Sequence, residues 1–266
     1  MRVPFGVWVV AGVAVGALAT GALIASGVLD DEAGAPTDPT GEVDGSGDAG
    51  DQAADEAEQR AQDAGDFLAA FERSRLGTFV VESTLQRTFP GGEGFTAESS
   101  VAQDPPDRLE RSLGSVTARL GPEVTLCRVT EANRYRCTTG RAERSYRGLV
   151  ADEVEALATY LGGDLPLYSV TADGDCFDLD QVRPLPAPPY GTSARFCFDD
   201  DTGALTLLRI ERDEAVDVTE ATSVTGDVRA GDLRPPETGD RAPAQPDGGF
   251  LPNEDASTTT TESDGG

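Results

Sequence analysis

The sequence contains no histidine and no lysine, and these absences exclude several kinds of chemistry. Histidine is the commonest general base and metal ligand in proteins, and it is the usual sensor of physiological pH. Ser-His catalysis, Cys-His catalysis and histidine-ligated zinc are therefore excluded. A glycine-rich phosphate loop, a nucleophile elbow and a kinase motif are also missing. We predict a protein that is not an enzyme, with no catalytic residue, no metal site and no cofactor.

Positive charge is scarce, since 21 arginines stand against 48 acidic residues and the net charge is −27. Much of the excess lies near the ends: residues 30–66 contain 13 acids and only Arg60, and residues 237–266 contain 7 acids and only Arg241. The remaining 28 acids and 18 arginines of residues 67–236 give a net charge of −10. Nucleic-acid binding and docking on an anionic lipid surface both need a basic footprint. The composition argues against both.

One long stretch without charge runs from Phe5 to Leu29. Its 25 residues exceed the roughly 20 that a membrane-spanning helix needs, and the apolar core of a cleaved signal peptide is usually shorter. We predict an uncleaved signal-anchor over residues 1–29; the alternative is a signal peptide cleaved near Ala25-Ser26-Gly27. Arg2 gives a weak positive-inside bias. The expected location is the cell membrane, single-pass, with the domain on the extracytoplasmic side.

Two segments are too polar to form a core. Residues 30–62 and 237–266 are rich in acidic and small residues, so neither can bury enough apolar surface to offset the entropy of ordering. We expect an acidic disordered stalk over residues 30–62 and an acidic disordered tail over residues 237–266. What remains, residues 63–236, is the length of one domain.

Hydrophobic periodicity predicts a helix, a series of strands, a second helix and further strands. Apolar residues recur at helical spacing in Ala57–Leu76 and again over 149–161. Period-2 alternation in Thr78–Phe89 indicates a strand with one buried face. Short turns favour an up-and-down order, so the fold class is α+β with a large antiparallel sheet that should curl. The other predicted strands are 94–102, 108–113, 115–120, 124–129, 134–138, 167–172, 176–179, 193–198, 204–211 and 217–228.

Four cysteines allow three disulfide pairings. Cys127 and Cys137 lie symmetrically about Ala132, the centre of a predicted turn, so we expect them to face each other across a hairpin. Cys176 and Cys197 each begin a Cys-Phe-Asp tripeptide on its own strand, and we predict a second disulfide between them. A metal or redox site is the alternative, but no Cys-x-x-Cys occurs. Disulfides agree with an extracytoplasmic location.

Two charged clusters suggest other chemistry. Asp178 and Asp199 through Asp201 could form an acid or calcium site, but Asp200-Asp201-Thr202-Gly203 is typical of a turn and lacks the spaced ligands of a calcium loop. In the densest basic stretch, Arg134 and Arg136 share a strand face and could hold an anionic headgroup or the acids of a partner. The alternative is a solvated face paired with local glutamates. The other arginines of this stretch are Arg141, Arg144 and Arg147.

Several short motifs follow one another in residues 66–236. They are Asp66–Phe71, Thr78–Phe89, Pro106–Leu109, Cys176-Phe177, Phe196–Gly203, Ala221–Val228 and Asp232–Pro235. This order resembles the LolA-like superfamily of periplasmic lipoprotein and lipid carriers, including mycobacterial lipoproteins of the LppX and LprG type. The chain looks most similar to membrane-anchored actinobacterial members of unassigned function. The resemblance implies a half-barrel, a curved sheet whose concave face is covered by helices and can hold acyl chains.

The resemblance also implies a function: an extracytoplasmic protein, tethered through residues 5–29, that binds a lipid or another apolar ligand. The chain departs from the lipoprotein members because it has an anchor in place of a lipobox cysteine. The alternative is an envelope protein-interaction or sensory module, which needs a protein partner. The residues expected to line the cavity are Phe79, Val81, Leu85, Phe89, Leu157 and Leu161. The alternative is that the first four simply pack against the second helix, at Leu149, Val154, Leu157 and Leu161.

Overall fold

A computed structural model of the chain describes residues 47–163 and 165–243. These residues form two helices and eleven strands. The helices are α1 (Gly47–Leu76) and α2 (Tyr146–Leu161). The strands are β1 (Phe79–Thr88), β2 (Gly94–Asp104), β3 (Asp107–Ser112), β4 (Ser115–Leu120), β5 (Glu123–Val129), β6 (Tyr135–Arg141), β7 (Tyr168–Asp173), β8 (Cys176–Gln181), β9 (Ser193–Phe198), β10 (Leu205–Glu211) and β11 (Val216–Thr225).

All eleven strands belong to one open antiparallel sheet. Its order is β6-β5-β4-β3-β2-β1-β11-β10-β9-β8-β7, so two up-and-down meanders are joined where β1 pairs with β11. The edge strands are β6 and β7, and α2 is the connection between them. The α+β class and the up-and-down order within each meander agree with the prediction. The pairing of β1 with β11 is the long-range contact that turn lengths could not specify.

The helices pack on one face of the sheet, over β7 to β10. Phe67 of α1 is fully buried and lies against Phe196 and Phe177, with ring centroids 5.2 and 5.5 Å apart. Leu157 of α2 joins the same cluster. Burying each such side chain contributes about 1.5–3 kcal/mol, so this cluster is the main core. Its other buried members are Ala70, Phe71, Leu161, Leu167, Tyr168, Val170, Leu179, Ala194, Phe198, Leu208 and Ile210.

Helix α1 begins ten residues before the predicted start at Ala57, within the range assigned to the stalk. Three of the ten added residues are alanine, the residue with the highest helix propensity. Gln59 also donates a hydrogen bond of 2.7 Å to Asp63 one turn later. The disorder expected for residues 47–62 is therefore corrected to helix. The rest of the predicted stalk and the predicted membrane segment lie outside the described residues.

Within the part of the chain that the structure describes, no helix combines the length and the apolar composition needed to cross a membrane.

The sheet edges are covered. On β7, the backbone N–H of Ala172 donates to the buried carboxylate of Asp63 on α1, at 3.2 Å. On β6, the N–H of Tyr135 donates to the carbonyl of Asp240 at 2.9 Å, and Ala242 is buried. Because an uncovered edge invites pairing with other chains, both contacts protect the sheet. Residues 237–243 thus lie against β6, which corrects the start of the expected disordered tail; residues 244–266 lie outside the described part.

The two disulfides are Cys127–Cys137 and Cys176–Cys197, the pairing expected from the sequence. Each joins residues directly opposite each other on neighbouring antiparallel strands. Phe177 and Phe196, next to one pair, point to the helix side of the sheet. Since successive side chains of a strand alternate between faces, this disulfide lies on the opposite side, away from the helices.

Loss of the disulfides should lower stability without changing the fold. We expect the pair of changes Cys176→Ala and Cys197→Ala to lower the free energy of unfolding by about 2–4 kcal/mol, because the unfolded chain regains the entropy of an open loop. Urea unfolding followed by far-UV circular dichroism measures the change. An unaltered unfolding midpoint would show that this cross-link does not contribute to stability.

Candidate functional site

The helix-bearing face of the sheet continues past the helices onto β2–β6. Directly paired residues of neighbouring strands have their side chains on the same face of the sheet. Leu208 of the core pairs with Thr219, Thr219 pairs with Leu85, and Leu85 pairs with Ala97 on β2, so all four lie on the helix-bearing face. The core cluster that contains the helix residues includes strand residues of β7–β10 and none from the described residues of β2–β6. One half of the face is therefore covered by helices, and the other half is the candidate site, here called the open face.

The open face is arranged in three rows that run across the strands. Several side chains of this face are half-buried or exposed, namely Ser112, Thr117, Leu126, Arg128 and Arg136. The charged residues on this face of β2–β6 are four arginines and Glu110, a net charge of +3 on a chain of net charge −27. The near row is Gln103, Arg108, Arg119 and Val124; the middle row is Val101, Glu110, Thr117, Leu126 and Thr138; the far row is Ser112, Ser115, Arg128 and Arg136.

Gln103 joins the near row to both helices. Its side chain is fully buried, and its Nε2 donates to the carbonyls of Ser74 and Gly77 at 3.0 and 2.8 Å. Its Oε1 accepts hydrogen bonds from Arg108 and from the hydroxyl of Tyr146, the latter at 2.9 Å. One amide therefore ties the end of α1, the start of α2 and strand β3 together.

A buried ion pair lies beside this amide. Arg75 donates to both carboxylate oxygens of Glu153 at 2.8 and 3.0 Å, and the two side chains are 5% and 8% exposed. The Nη1 of Arg75 and the Nε of Arg119 are buried without a partner among the described residues. Burial, and then the nearby charge of Arg75, lower the pKa of Arg108. The near row is thus a positively charged structural junction between the helices and the open face.

The structure distributes the six predicted cavity residues among different places. Phe79 and Val81 are buried in a small cluster with Ala204, whereas Leu157 and Leu161 belong to the main core. Val81 is directly paired with Val101 of the middle row, and Val101 packs against the Phe79 cluster, so this small cluster borders the open face. Leu85, on the same face of β1, is half-buried, and Phe89, just past β1, is 42% exposed.

Two surface depressions lie on the opposite face of the sheet. One, of about 370 Å³, is lined by Arg111, Tyr135 and the C-terminal segment from Gly231 to Pro243. The other, of about 320 Å³, is lined by Pro122, Glu123, Thr139, Gly140 and Arg141. Arg111 is paired with Val116, and Val116 is paired with Cys127. Arg111 and the first depression therefore lie on the same face of the sheet as the Cys127–Cys137 disulfide. Apolar lining is typical of lipid sites, and the charged residues in both depressions make them poor candidates.

The acidic cluster has a structural role. The carboxylate of Asp199 accepts hydrogen bonds from the N–H and hydroxyl of Thr202 at 2.8 and 2.6 Å, and these bonds lower the pKa of Asp199. Asp178 pairs with Arg195 at 2.5 Å on the neighbouring strand. Among the described residues, no group of acids and cysteines is arranged to hold a metal ion. The turn interpretation of Asp200 through Gly203 agrees with this geometry.

Sequence reasoning missed how the arginines are paired. The structure places Arg136 opposite Arg128, while Arg134 lies outside the strand and donates to the carbonyl of Gly239 at 2.5 Å. The signal was present, because Arg128 and Arg136 are symmetric about Ala132, as are the cysteines. The roles of Gln103, Arg75 and Glu153 had no such signal, since they depend on how the helices dock.

No protein-family model matches the chain, and no curated protein matches it. Solved structures that match include a LolA superfamily protein from Nitrosomonas europaea, with 8% identity, a TM-score of 0.26, and coverage of 60% of this chain and 92% of that one. A DUF1329 family protein from Desulfovibrio piger has 10% identity, a TM-score of 0.26, and coverage of 66% and 99%. An outer membrane lipoprotein-sorting protein domain from Vibrio parahaemolyticus has 9% identity, a TM-score of 0.24, and coverage of 62% and 94%.

Replacement of Gln103 should destabilise the junction. In Gln103→Leu the carbonyls of Ser74 and Gly77 lose their buried donor, and we expect the free energy of unfolding to fall by about 2–4 kcal/mol. Gln86→Leu, at an exposed position on the other face of β1, is the matched control and should change stability by less than about 0.5 kcal/mol. Chemical denaturation measures both. Equal effects of the two changes would contradict the assigned role of Gln103.

The ion pair offers a test by double substitution. Glu153→Leu leaves Arg75 buried and unpaired, so the free energy of unfolding should fall by about 3–5 kcal/mol. Adding Arg75→Leu removes the uncompensated charge, and the double variant should recover part of the loss. A double variant that is less stable than Glu153→Leu alone would show that the charge of Arg75 is stabilised by other groups. Thermal and urea unfolding supply the values.

Proposed function

We propose that the protein is a membrane-tethered, extracytoplasmic binding protein that holds a lipid or another apolar ligand against the open face. The observation that carries this proposal is the uneven cover of a single sheet face. Helices bury the half formed by β7–β10, while the half formed by β2–β6 stays accessible. A continuous sheet with one half unburied offers a ready surface for a ligand.

The side chains of the open face suit an amphipathic ligand. Leu126 is 38% exposed in the middle row, and Val101 and Val124 are half-buried on the same face. Phe89, which is 42% exposed, follows β1 at the rim. Hydroxyl groups of serines and threonines lie between these apolar residues, together with the arginines. Such a mixture supplies contact area for an acyl chain and hydrogen-bond donors for a polar group.

The tether and the compartment belong to the same proposal. Residues 5–29 anchor the protein, and the domain lies outside the cytoplasm. Two disulfides support this location, because such bonds persist in oxidising compartments. A ligand held by a tethered domain remains close to the membrane, so the protein acts as a local acceptor or chaperone of its ligand.

A protein-interaction module is the second candidate. Leu165, Val182 and Leu185 are 70%, 54% and 45% exposed on two loops at one end of β7 and β8. These loops are joined where the N–H of Val182 donates to the carbonyl of Leu167 at 2.9 Å. Exposed apolar groups of this kind favour a protein partner when they are contiguous. These loops lie away from the open face. A substitution on the open face therefore tests ligand binding, and a substitution on the loops tests the interaction module.

Native mass spectrometry of the full-length protein, made in an oxidising compartment, tests the proposal. We expect a chain mass four hydrogens below that of the reduced chain, because two disulfides form, and a releasable ligand of lipid size. Leu126→Asp places a charge on the open face and should reduce ligand occupancy about tenfold or more. The amount of lipid that co-purifies only because it surrounds the membrane anchor should not change in Leu126→Asp.

Leu165→Asp is the matched control, since it adds the same charge on an exposed loop. It should leave ligand occupancy unchanged. An empty protein with both disulfides intact would contradict ligand binding. Loss of a co-purified protein partner in Leu165→Asp, with no lipid in any variant, would support the interaction module instead.

A further inference from the structure

Two exposed arginines oppose each other on the far row of the open face. Arg128 on β5 is directly paired with Arg136 on β6, and both side chains are exposed. Within the described residues, neither guanidinium has an ion pair or a side-chain hydrogen bond. Like charges directly opposite each other destabilise a sheet. This arginine pair therefore has a cost that no neighbouring carboxylate offsets.

Most of the nearby acids have other partners, and Glu131 in the turn between β5 and β6 has no hydrogen bond or ion pair with either arginine in the part of the chain that the structure describes. Glu110, on the same face, accepts a hydrogen bond of 3.3 Å from Arg108. In the segment along β6, the carboxylate of Asp240 accepts from the N–H of Glu237 at 2.8 Å, and Glu237 pairs with Arg234 at 3.4 Å. The positive charge of Arg128 and Arg136 is thus available to a ligand from outside the domain.

The disulfide Cys127–Cys137 holds the arginine pair in register. Each arginine is the sequence neighbour of one cysteine, and the two cysteines are directly opposed with their Cα atoms 4.0 Å apart. The short separation marks a non-hydrogen-bonded pair, so the next pair, Arg128 with Arg136, has Cα atoms about 5.5 Å apart. A covalent link on one face therefore fixes the spacing of two like charges on the other face.

We infer that Arg128 and Arg136 form a site for the anionic group of an amphipathic ligand, a phosphate or a carboxylate, whose apolar part contacts Leu126. This inference rests on the proposed function and names the chemical class of its ligand. Guanidinium groups bind such oxyanions through paired, charge-assisted hydrogen bonds. Ser115, opposite Arg128 in the far row, shares a hydrogen bond of 2.9 Å with the hydroxyl of Ser112, so the serine pair offers one further hydroxyl donor beside the arginines. The cysteines act as positioning residues for the arginine pair.

Calorimetric titration of the full-length protein in phosphatidylcholine nanodiscs tests the inference. The probes are octyl phosphate, octanoate, octanol and inorganic phosphate, and titration of empty nanodiscs is subtracted. We expect one or both anionic amphiphiles to bind more tightly than octanol. In Arg128→Gln with Arg136→Gln, their affinity should fall about tenfold or more, while the affinity for octanol stays the same. The tighter of the two anions identifies the headgroup as phosphate or carboxylate.

Arg141→Gln is the matched control, because Arg141 lies on the same strand with its side chain on the disulfide face. It should not change any affinity. Intact mass with both disulfides, together with an unchanged far-UV circular dichroism spectrum, verifies folding of each arginine variant. Arg128→Lys with Arg136→Lys keeps the charge and should retain most of the binding. Replacing Cys127 and Cys137 by serine should weaken binding of the anionic amphiphiles several-fold, since the spacing is no longer fixed.

The outcomes separate the two proposals. Anionic amphiphiles that bind equally well to the double glutamine variant would overturn the arginine site and leave the proposed function in place. Absence of binding by all three amphiphiles would overturn the proposed function and the arginine site together. Inorganic phosphate that binds as tightly as octyl phosphate, and needs both arginines, would show a site for a free anion and contradict an amphipathic ligand.

Discussion

The pairing of β1 with β11 is the contact on which the rest of the structure depends. It unites strands far apart in the sequence, and without it the two meanders would be separate small sheets. An ion pair strengthens the seam: Arg87 on β1 lies 2.5 and 2.7 Å from the two carboxylate oxygens of Asp217 on β11, which is 2% exposed. Hydrogen bonding to Asp217 raises the pKa of Arg87, which favours the charged guanidinium at the seam.

This seam joins halves with different surfaces. On the β7–β10 side, the helix-bearing face is apolar and is buried by Phe67 and Leu157. On the β2–β6 side, the same face carries serine, threonine and arginine, and only its near row is tied to the helices through Gln103. The apolar half contains the main core, so the domain does not need helices over the polar half to bury its largest cluster. A half-barrel filled evenly by its helices would lack this division.

The strands were predictable because their alternation and turns are local properties. Phe79, Val81 and Leu85 recur on one face of β1, and the symmetry of Cys127 and Cys137 about one turn fixed a register. The start of α1 was missed because residues 47–56 contain no large apolar residue to mark a helical period. Two other features needed long-range information: the burial of Gln103 depended on helix docking, and the cover of β6 depended on a segment about one hundred residues later.

The length of α1 has a mechanical consequence. Its first sixteen residues, 47–62, precede the predicted domain boundary and extend about 24 Å at 1.5 Å per residue. Residues 52 and 54–62 are exposed, so this part of the helix stands clear of the core that contains Phe67 and Phe71. The helix thus acts as a spacer that holds residue 47 at a set distance from the core, whereas a flexible coil of the same length would let that distance vary.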